Sequence, residues 1–368
     1  MSNHILIETL YKVDPNGHGG NHRTGQITGL VKSAELEVYD IQNRGDIGNI
    51  KTTRWSRYAA GIQLLAKHHF KVSPSYQMIG RCGHLYQVYR NVLNQNQDIN
   101  ANLILWEATK KHVEIYSAKD AGFKIVAIPQ NLESLVVDYT DPFTGKSLPE
   151  SLENEIKHLA NSDAVFSISR EEQWLLKLFG IDADFLPYYP PSSILSNLLH
   201  IRELRNYRET KRFLILGTFF NPPTRLGMIE QVRWLARLKK DISFEIDIAG
   251  YGTEQLKDYC NDLNFTIHGT VDSKKLNYLL TNAKAVLIHQ KAGVGALTRI
   301  PEMLMAGIPV IANGNACRSA FSYPGVYCYD NEAELADLMT KNLDSPSQLP
   351  RPLAAEKRFI NCLKKLVM

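Results

Sequence analysis

Ala285-Val-Leu-Ile-His289-Gln-Lys291-Ala-Gly293-Val-Gly295-Ala-Leu-Thr298-Arg299-Ile-Pro301-Glu302-Met-Leu-Met-Ala-Gly307-Ile-Pro309-Val-Ile-Ala312 is the stretch on which the reading of the fold turns. Residues 285–289 form a short apolar run without helical periodicity, and a glycine-spaced loop follows, the pattern of a buried strand opening into a turn. Pro301 suits the first turn of a helix, where its missing N–H would have gone unpaired. Gly307 can end that helix in a left-handed cap before Pro309 and a second apolar strand. The unit reads strand, glycine loop, short helix, strand. It aims backbone N–H groups and the positive end of a helix at one point beyond the carboxyl ends of parallel strands, where an anion fits. Glu302 beside such an anion is expected to turn toward neutral hydroxyls, such as those of a ribose. The spacing alone leaves a second reading open, with Gly293 and Gly295 as a tight turn and Glu302 as a favourable helix-start residue.

A chain of 368 residues that is 44% hydrophobic can bury a large core, and its length suggests two domains. Charged residues at 22% and aromatic residues at 9% give an ordinary globular profile. The formal charge of +4 is small but unevenly spread. Within 44–90, Arg44, Lys51, Arg54, Arg57, Lys67, Lys71, Arg81 and Arg90 stand against the single acid Asp46, about +7 in that stretch. The stretch is a candidate contact for an anionic membrane surface or a phosphorylated acceptor. Its helix-like part, 53–70, repeats Tyr58, Ile62, Leu65 and His69 on one side and carries Arg54, Arg57 and Lys67 on the polar face; a plain solvated face is the other reading. The five cysteines, Cys82, Cys260, Cys317, Cys328 and Cys362, form no C-x-x-C pair and read as free thiols in a reducing compartment. With no basic start leading into an apolar run, and no apolar span of about 18 residues, the expected location is the cytoplasm.

Apolar strands of roughly five residues alternate with helices of roughly ten to fifteen, the mark of parallel α/β structure. In the first half, strands are expected at 4–9, 102–106, 124–128 and 163–169, and helices at 107–121, 153–159 and 170–179. Residues 16–25 read as a glycine-rich loop after the first strand, open to a ligand because no Cβ stands in the way. Residues 138–150 read as a turn-rich excursion, and the prolines within 184–191 end the first domain. In the second half, strands are expected at 212–216, 244–250 and 265–271, and helices at 225–239, 273–281 and 354–368.

The arrangement Gly293-x-Gly295-x-x-x-Arg299-x-x-Glu302-x4-Gly307-x-Pro309-Val310 resembles the donor-binding segment of the retaining glycosyltransferases with two Rossmann-like domains (GT-B). In particular it resembles the large, glycosyltransferase family 4-like group that includes sucrose synthases and bacterial polysaccharide and mannosyl transferases. The resemblance implies that a loop of Lys291, Gly293, Val294 and Gly295 holds a nucleotide-sugar diphosphate and that Glu302 takes the ribose hydroxyls. The earlier acidic residue of the family falls on Val294, so the sugar-side contact would come from backbone or from elsewhere. Gly19 and Gly20 would face the donor, Thr218 and Arg225 would border its phosphates, and Gly250 with Gly269, Thr270 and Val271 would lie toward the base. Leu226-Gly227 stands where relatives carry Lys-Gly, which makes Arg299 the replacement cation, able to fork two hydrogen bonds to a phosphate. Gln130 stands where many relatives carry a histidine near the sugar. It can hydrogen-bond a hydroxyl but cannot act as acid or base, and Glu107 would cover part of that work. Ser169 and Arg170 would stand at the mouth of the cleft.

The fold implied is α/β of the GT-B type, two Rossmann-like domains with parallel sheets facing a central cleft. An acceptor-side domain would span 1–190 and a nucleotide-sugar-binding domain 205–345, with a helix at 350–368 packing back on the first. The function implied is retaining, metal-independent hexosyl transfer from a nucleotide-diphosphate sugar to a glycan or lipid-linked acceptor in polysaccharide biosynthesis, with UDP-sugar favoured on family frequency. Arg299, Glu107 and Gln130 would be its catalytic residues. No cofactor beyond the donor substrate and no nucleic-acid partner is expected, and the protein would work in the cytoplasm, peripheral on the inner face of the membrane. No Asp-x-Asp stands where a metal could bridge a diphosphate, and neither a Gly-x-Ser-x-Gly turn nor a Gly-Lys-Ser/Thr loop occurs. Two alternatives stay beside this reading: a sugar-nucleotide epimerase of the same architecture and, because Val294 and Gln130 depart from the family pattern, a non-catalytic partner that binds a nucleotide-sugar or glycan.

Overall fold

The computed structural model describes residues 4–41, 52–69, 76–95, 101–109, 112–136, 151–205, 210–260 and 264–368. The chain separates into two units, one of Met1–Lys12, Thr24–Pro187 and Pro352–Met368, the other of Val13–Arg23 and Tyr188–Arg351. In chain order the first half holds β1 (His4–Glu8), α1 (Gly19–Ser33), β2 (Glu37–Asp40), α2 (Arg54–His68), α3 (Tyr76–Gln95), β3 (Leu103–Trp106), α4 (His112–Asp120), β4 (Lys124–Ala127), α5 (Leu152–Leu159), β5 (Ala164–Ser167), α6 (Arg170–Leu178) and β6 (Ala183–Phe185). The second half holds α7 (Ser192–Leu204), β7 (Arg212–Leu216), α8 (Pro222–Leu238), β8 (Glu245–Ala249), β9 (Phe265–Gly269), α9 (Ser273–Asn282), β10 (Val286–Ile288), α10 (Arg299–Met305), β11 (Val310–Asn313), α11 (Gly314–Cys317), β12 (Val326–Tyr329), α12 (Glu332–Thr340) and α13 (Leu353–Val367).

Each unit is built on a six-stranded sheet, ordered β2-β1-β3-β4-β5-β6 in the first and β12-β11-β10-β7-β8-β9 in the second. The strand pairings in both are parallel. Parallel strands with helices on both faces bury both sides, which is why β3, β10 and β11 are buried along their whole length. Sheet order reverses once in each unit, between β1 and β3 and between β7 and β10, and in such sheets the crevice beyond the carboxyl ends of the strands at that point receives ligands. Helix α13 belongs to the first unit, where Phe359 sets its ring edge-on to Phe166 at 5.0 Å and Asn102 Nδ2 donates to the Val367 carbonyl at 3.1 Å.

The opening stretch folds as its residues dictate. Helix α10 follows the glycine loop and ends at Gly307, which adopts φ 74 and leaves the Ile308 N–H to cap the Met303 carbonyl at 2.9 Å.

Several expectations need correction. The glycine loop expected at 16–25 stops short, because α1 begins at Gly19. His18 explains the early start: its Nδ1 accepts from the Gly20 N–H at 3.1 Å while Asn21 Oδ1 accepts from the His18 N–H at 2.9 Å, a reciprocal cap. Helix α8 starts at Pro222 rather than Arg225, since Asn221 Oδ1 caps the Thr224 N–H at 3.2 Å and Pro is compatible with the first helical position. Glu107 is not helical; it follows β3 directly, its N–H donating to the Glu8 carbonyl. On α2 the buried residues are Ala60, Gly61 and Leu64, whereas Ile62 is 59% exposed. Small residues let α2 approach α3 closely, with Leu64 buried beside them and Ile62 left outside that contact; a Cβ on Gly83 would strike the Arg57 carbonyl. The excursion at 138–150 and the residues Arg44, Asp46, Lys51 and Lys71 lie outside the described residues.

Candidate functional site

In the second unit, α10 begins just past the reversal point, and its first turn presents Arg299 and Glu302 one turn apart. Arg299 is partly exposed and makes no hydrogen bond or ion pair with any described residue. Burial pushes its guanidinium down to about 10, with the nearby charge of Glu302 acting against that shift, so the group stays cationic at neutral pH. A methyl group on Gly217, the residue after β7, would come within 3.3 Å of Arg299 Nη1, so the arginine reaches across from the β10 side to the β7 side of the reversal. Behind it a cavity of about 10 Å³ is lined by Leu216, Thr224, Met228, Gln231, His289 and Gln290; it is far too small for an organic ligand.

Glu302 is 9% exposed and holds both of its contacts on one oxygen. Oε1 accepts from the Tyr188 hydroxyl at 2.7 Å and lies 2.7 Å from His22 Nδ1. No described residue bonds Oε2. Burial, reinforced by Glu302, pushes the Tyr188 hydroxyl pKa up, so it remains a donor. Burial opposes charge on His22, but the Glu302 hydrogen bond and charge, with the Pro15 carbonyl and Asp14, outweigh it and raise its pKa above the ordinary value. Thr298, immediately before the helix, fills the place where Gly19 has no side chain; a Cβ there would collide with Thr298 Oγ1. A side chain at position 19 would have to displace the Thr298 hydroxyl, so Gly19 lets α1 pack closely onto the start of α10.

The glycine loop is fixed from one side. Arg318, just after α11, donates from Nε to the Gly295 carbonyl at 2.8 Å, from Nη2 to the Val294 carbonyl, and from Nη1 to Gln290 Oε1 at 3.0 Å and to the Asn315 carbonyl. Asn313 ties the loop's entry, accepting from the Gln290 N–H at 2.9 Å and donating to the Gln290 carbonyl at 2.8 Å. With the carbonyls engaged in this way, the N–H groups of Gly293 and Val294 have no partner among the described residues. Nearby cations are Lys291, exposed, and Arg225, partly buried in the first turn of α8; neither is paired among the described residues. Thr218 accepts through its carbonyl from the Asn221 N–H at 3.2 Å and so shapes the turn. Gly250 donates to the Gly269 carbonyl at 2.8 Å, so both glycines join the ends of β8 and β9; Thr270 is exposed and Val271 packs partly on the core.

In the first unit, Glu107 and Gln130 are brought together. Glu107 is 1% exposed and accepts from Thr9 Oγ1 at 2.5 Å, from Thr24 Oγ1 at 2.8 Å and from Gln130 Nε2 at 2.9 Å. Gly20 lies in the first turn of α1. Ser169 caps α6, its Oγ accepting from the Glu172 N–H, and the Arg170 guanidinium lies over the Phe185 ring at 4.3 Å. An Asp-x-Asp does occur at β6, but Asp182 pairs with Lys177 at 3.6 Å and Asp184 with Arg358 at 3.4 Å. Among the described residues no cluster of three or more His, Cys, Asp or Glu could hold a metal, and no helix is long and apolar enough to cross a membrane.

Sequence reasoning missed Tyr188 and Arg318; His22, with Arg23, stood in it beside Gly19 and Gly20 either as a donor-side residue or as one that solvates the start of the first helix, and its contact with Glu302 was not foreseen. Tyr188 left a faint signal, an aromatic pair inside the proline-rich break 184–191. Nothing in the spacing marks Arg318, since its role depends on how α11 folds back on the loop.

No family model matches the chain, and no curated protein matches it in sequence. Solved structures do match in fold. A UDP-forming α,α-trehalose-phosphate synthase from Burkholderia xenovorans is similar with a TM-score of 0.60 at 10% identity, over 100% of this chain and 95% of that one. A sucrose-phosphate synthase from Thermosynechococcus elongatus gives 0.57 at 14% identity, over 99% and 94%. A UDP-GlcNAc 2-epimerase from Methanocaldococcus jannaschii, in complex with UDP-GlcNAc and UDP, gives 0.53 at 13% identity, over 98% and 99%. The chain therefore has the GT-B fold, with two Rossmann-like parallel α/β units. Two transferases and an epimerase share that architecture, so the fold by itself does not choose between them.

Proposed function

We propose that this protein is a retaining glycosyltransferase that moves a sugar from a UDP-sugar to a glycan or lipid-linked acceptor in polysaccharide biosynthesis, with its second unit holding the donor. The observation that carries the reading is Arg299, a guanidinium with no hydrogen bond or ion pair among the described residues at the reversal point of a parallel sheet, reached by a loop whose Gly293 and Val294 N–H groups are likewise unpartnered among those residues. A guanidinium that makes no hydrogen bond among the described residues keeps its donors for a ligand, and a diphosphate meets them with matching charge and bidentate geometry. Glu302, its Oε1 oriented by Tyr188 and His22, offers Oε2 to the ribose hydroxyls. Arg225 and Lys291 add charge around the phosphates, and Thr218, Gly250, Gly269, Thr270 and Val271 border the nucleotide. In this reading the units act as an acceptor-side domain and a nucleotide-sugar domain.

The chemistry follows from those groups. As the glycosidic bond breaks, negative charge grows on the leaving diphosphate, and Arg299 with the loop N–H groups stabilises it; a donor phosphate oxygen takes the acceptor proton on the same face, so configuration is retained. No side-chain base and no metal is required. In the first unit Gln130 hydrogen-bonds a sugar hydroxyl and Glu107, being buried and bonded to Thr9 and Thr24, positions it. The protein works in the cytoplasm at the inner face of the membrane. There α2 turns a stripe of Trp55, Ala59, Ile62 and Ala66 outward beside Arg54 and Lys67, a face suited to an anionic leaflet.

The test is incubation with UDP-sugars, with and without a glycan mixture, followed by NMR of the products. Release of UDP with a new linkage of retained anomeric configuration supports the reading. An inverted linkage overturns the mechanism, an isomerised UDP-sugar formed without acceptor makes the chain an epimerase, and UDP binding with neither reaction makes it a non-catalytic partner.

A further inference from the structure

Cys317 ends α11 and Cys328 lies in β12, and their Sγ atoms stand 2.7 Å apart. That is only about 0.65 Å longer than a disulfide bond and well inside the ~3.5–4.0 Å at which non-bonded heavy atoms usually pack. The fold brings them together: β11 pairs with β12 so that Ala312 faces Cys328, and α11 starts right after β11 and folds Cys317 back over the same edge. The two thiols differ in access, Cys317 being buried and Cys328 exposed. Burial, reinforced by Cys328, raises the pKa of Cys317, which keeps it inert toward reagents in solution. The next residue is Arg318, whose guanidinium holds the carbonyls of Val294 and Gly295.

We propose that Cys317 and Cys328 are a redox-active dithiol which a small-molecule disulfide of the glutathione type closes, and that the closed form tethers the root of Arg318 and stiffens the glycine loop at 293–295. The step balances. The Cys328 thiol loses its proton and its sulfur attacks the reagent disulfide, whose S–S bond breaks and releases one half as a thiol. Cys317 then loses its proton and attacks Sγ of Cys328 in the mixed disulfide, releasing the second half as a thiol. Two protein thiols are oxidised and one external disulfide is reduced. Because the tether lies one residue from the clamp on the loop, it limits the local opening through which the loop amides exchange with solvent.

The full chain is treated with oxidised glutathione, the remaining thiols are alkylated, and peptides are mapped by mass spectrometry, alongside hydrogen–deuterium exchange of the intact protein. The expected result is a peptide pair joined through Cys317 and Cys328, lighter by two hydrogens and separated by dithiothreitol. Cys317→Ser should stop with glutathione on Cys328. Deuterium uptake over 290–297 should slow at least about threefold on oxidation of the wild type and stay unchanged in Cys328→Ser treated alike. Glutathione persisting on wild-type Cys328 without the cross-link, or no reaction, overturns the dithiol. A cross-link with unchanged uptake at 290–297 overturns its coupling to the loop. Neither readout involves the nucleotide, so failure here is distinct from failure of the donor reading.

Discussion

The two sheets reverse their strand order at equivalent places, yet the side chains at those places are arranged in opposite ways. In the first unit Glu107, directly after β3, is buried and accepts from Thr9, Thr24 and Gln130. In the second, Arg299 has no partner among the described residues, and Glu302 keeps both of its contacts on one oxygen. A satisfied carboxylate braces a fold, whereas an unpaired cation beside a half-engaged carboxylate leaves capacity for a ligand. The difference makes the second crevice the better candidate for an anionic ligand, where topology alone treats the two alike.

The largest expected effect comes from Arg299→Ala. If this cation stabilises a leaving diphosphate, kcat should fall by about 10²-fold or more with the fold retained, as loss of a charge-stabilising donor does. Steady-state kinetics beside circular dichroism measure it, and full activity in that variant would shift the phosphate contacts to Arg225 and Lys291. Glu107→Gln should do the reverse. Placing an amide where Thr9, Thr24 and Gln130 all donate leaves buried groups mismatched, so stability should drop by about 1–3 kcal/mol in urea titration while UDP affinity stays unchanged. A large change in UDP affinity with stability intact would erase the contrast between the two crevices.

The smallest effect is one of pH. The pKa of His22 is raised, so its charged form adds stability that is fully present below the ordinary histidine value of about 6.5 and is lost as pH rises through the raised value. Thermal midpoints of the wild type should therefore decline across that window relative to His22→Asn. Parallel profiles would show that the contact with Glu302 does not favour the charged ring.

Much of this was legible because the second unit writes its fold locally. The apolar run ending at His289, Pro301, Gly307 and Pro309 each act through backbone constraints that a sequence exposes, and strand, loop, helix and strand appear in that order. The face of α2 was misread because helical spacing finds an apolar stripe but not which stripe meets a neighbour. Close approach through Gly61 and Gly83 decides that, and it involves a second helix. The start of α1 was hidden for a similar reason: glycines weaken a helix in isolation, while the cap formed by His18 and Asn21 and the packing of Gly19 on Thr298 override that tendency. Glu302 was visible as a helix-start acid, but its partners Tyr188 and His22 come from positions distant in sequence, and no spacing rule joins them.

Whether Glu302 is held ready for a ribose is decided by calorimetric titration of UDP into the wild type and Glu302→Gln. Glutamine keeps the shape and can still accept from Tyr188, but it loses the charged acceptor. UDP should then bind the variant more weakly by about 1.5–3 kcal/mol, tenfold or more in Kd, at a temperature where both proteins remain folded. An unchanged Kd in a folded variant would contradict it and reduce Glu302 to a residue that favours a helix start.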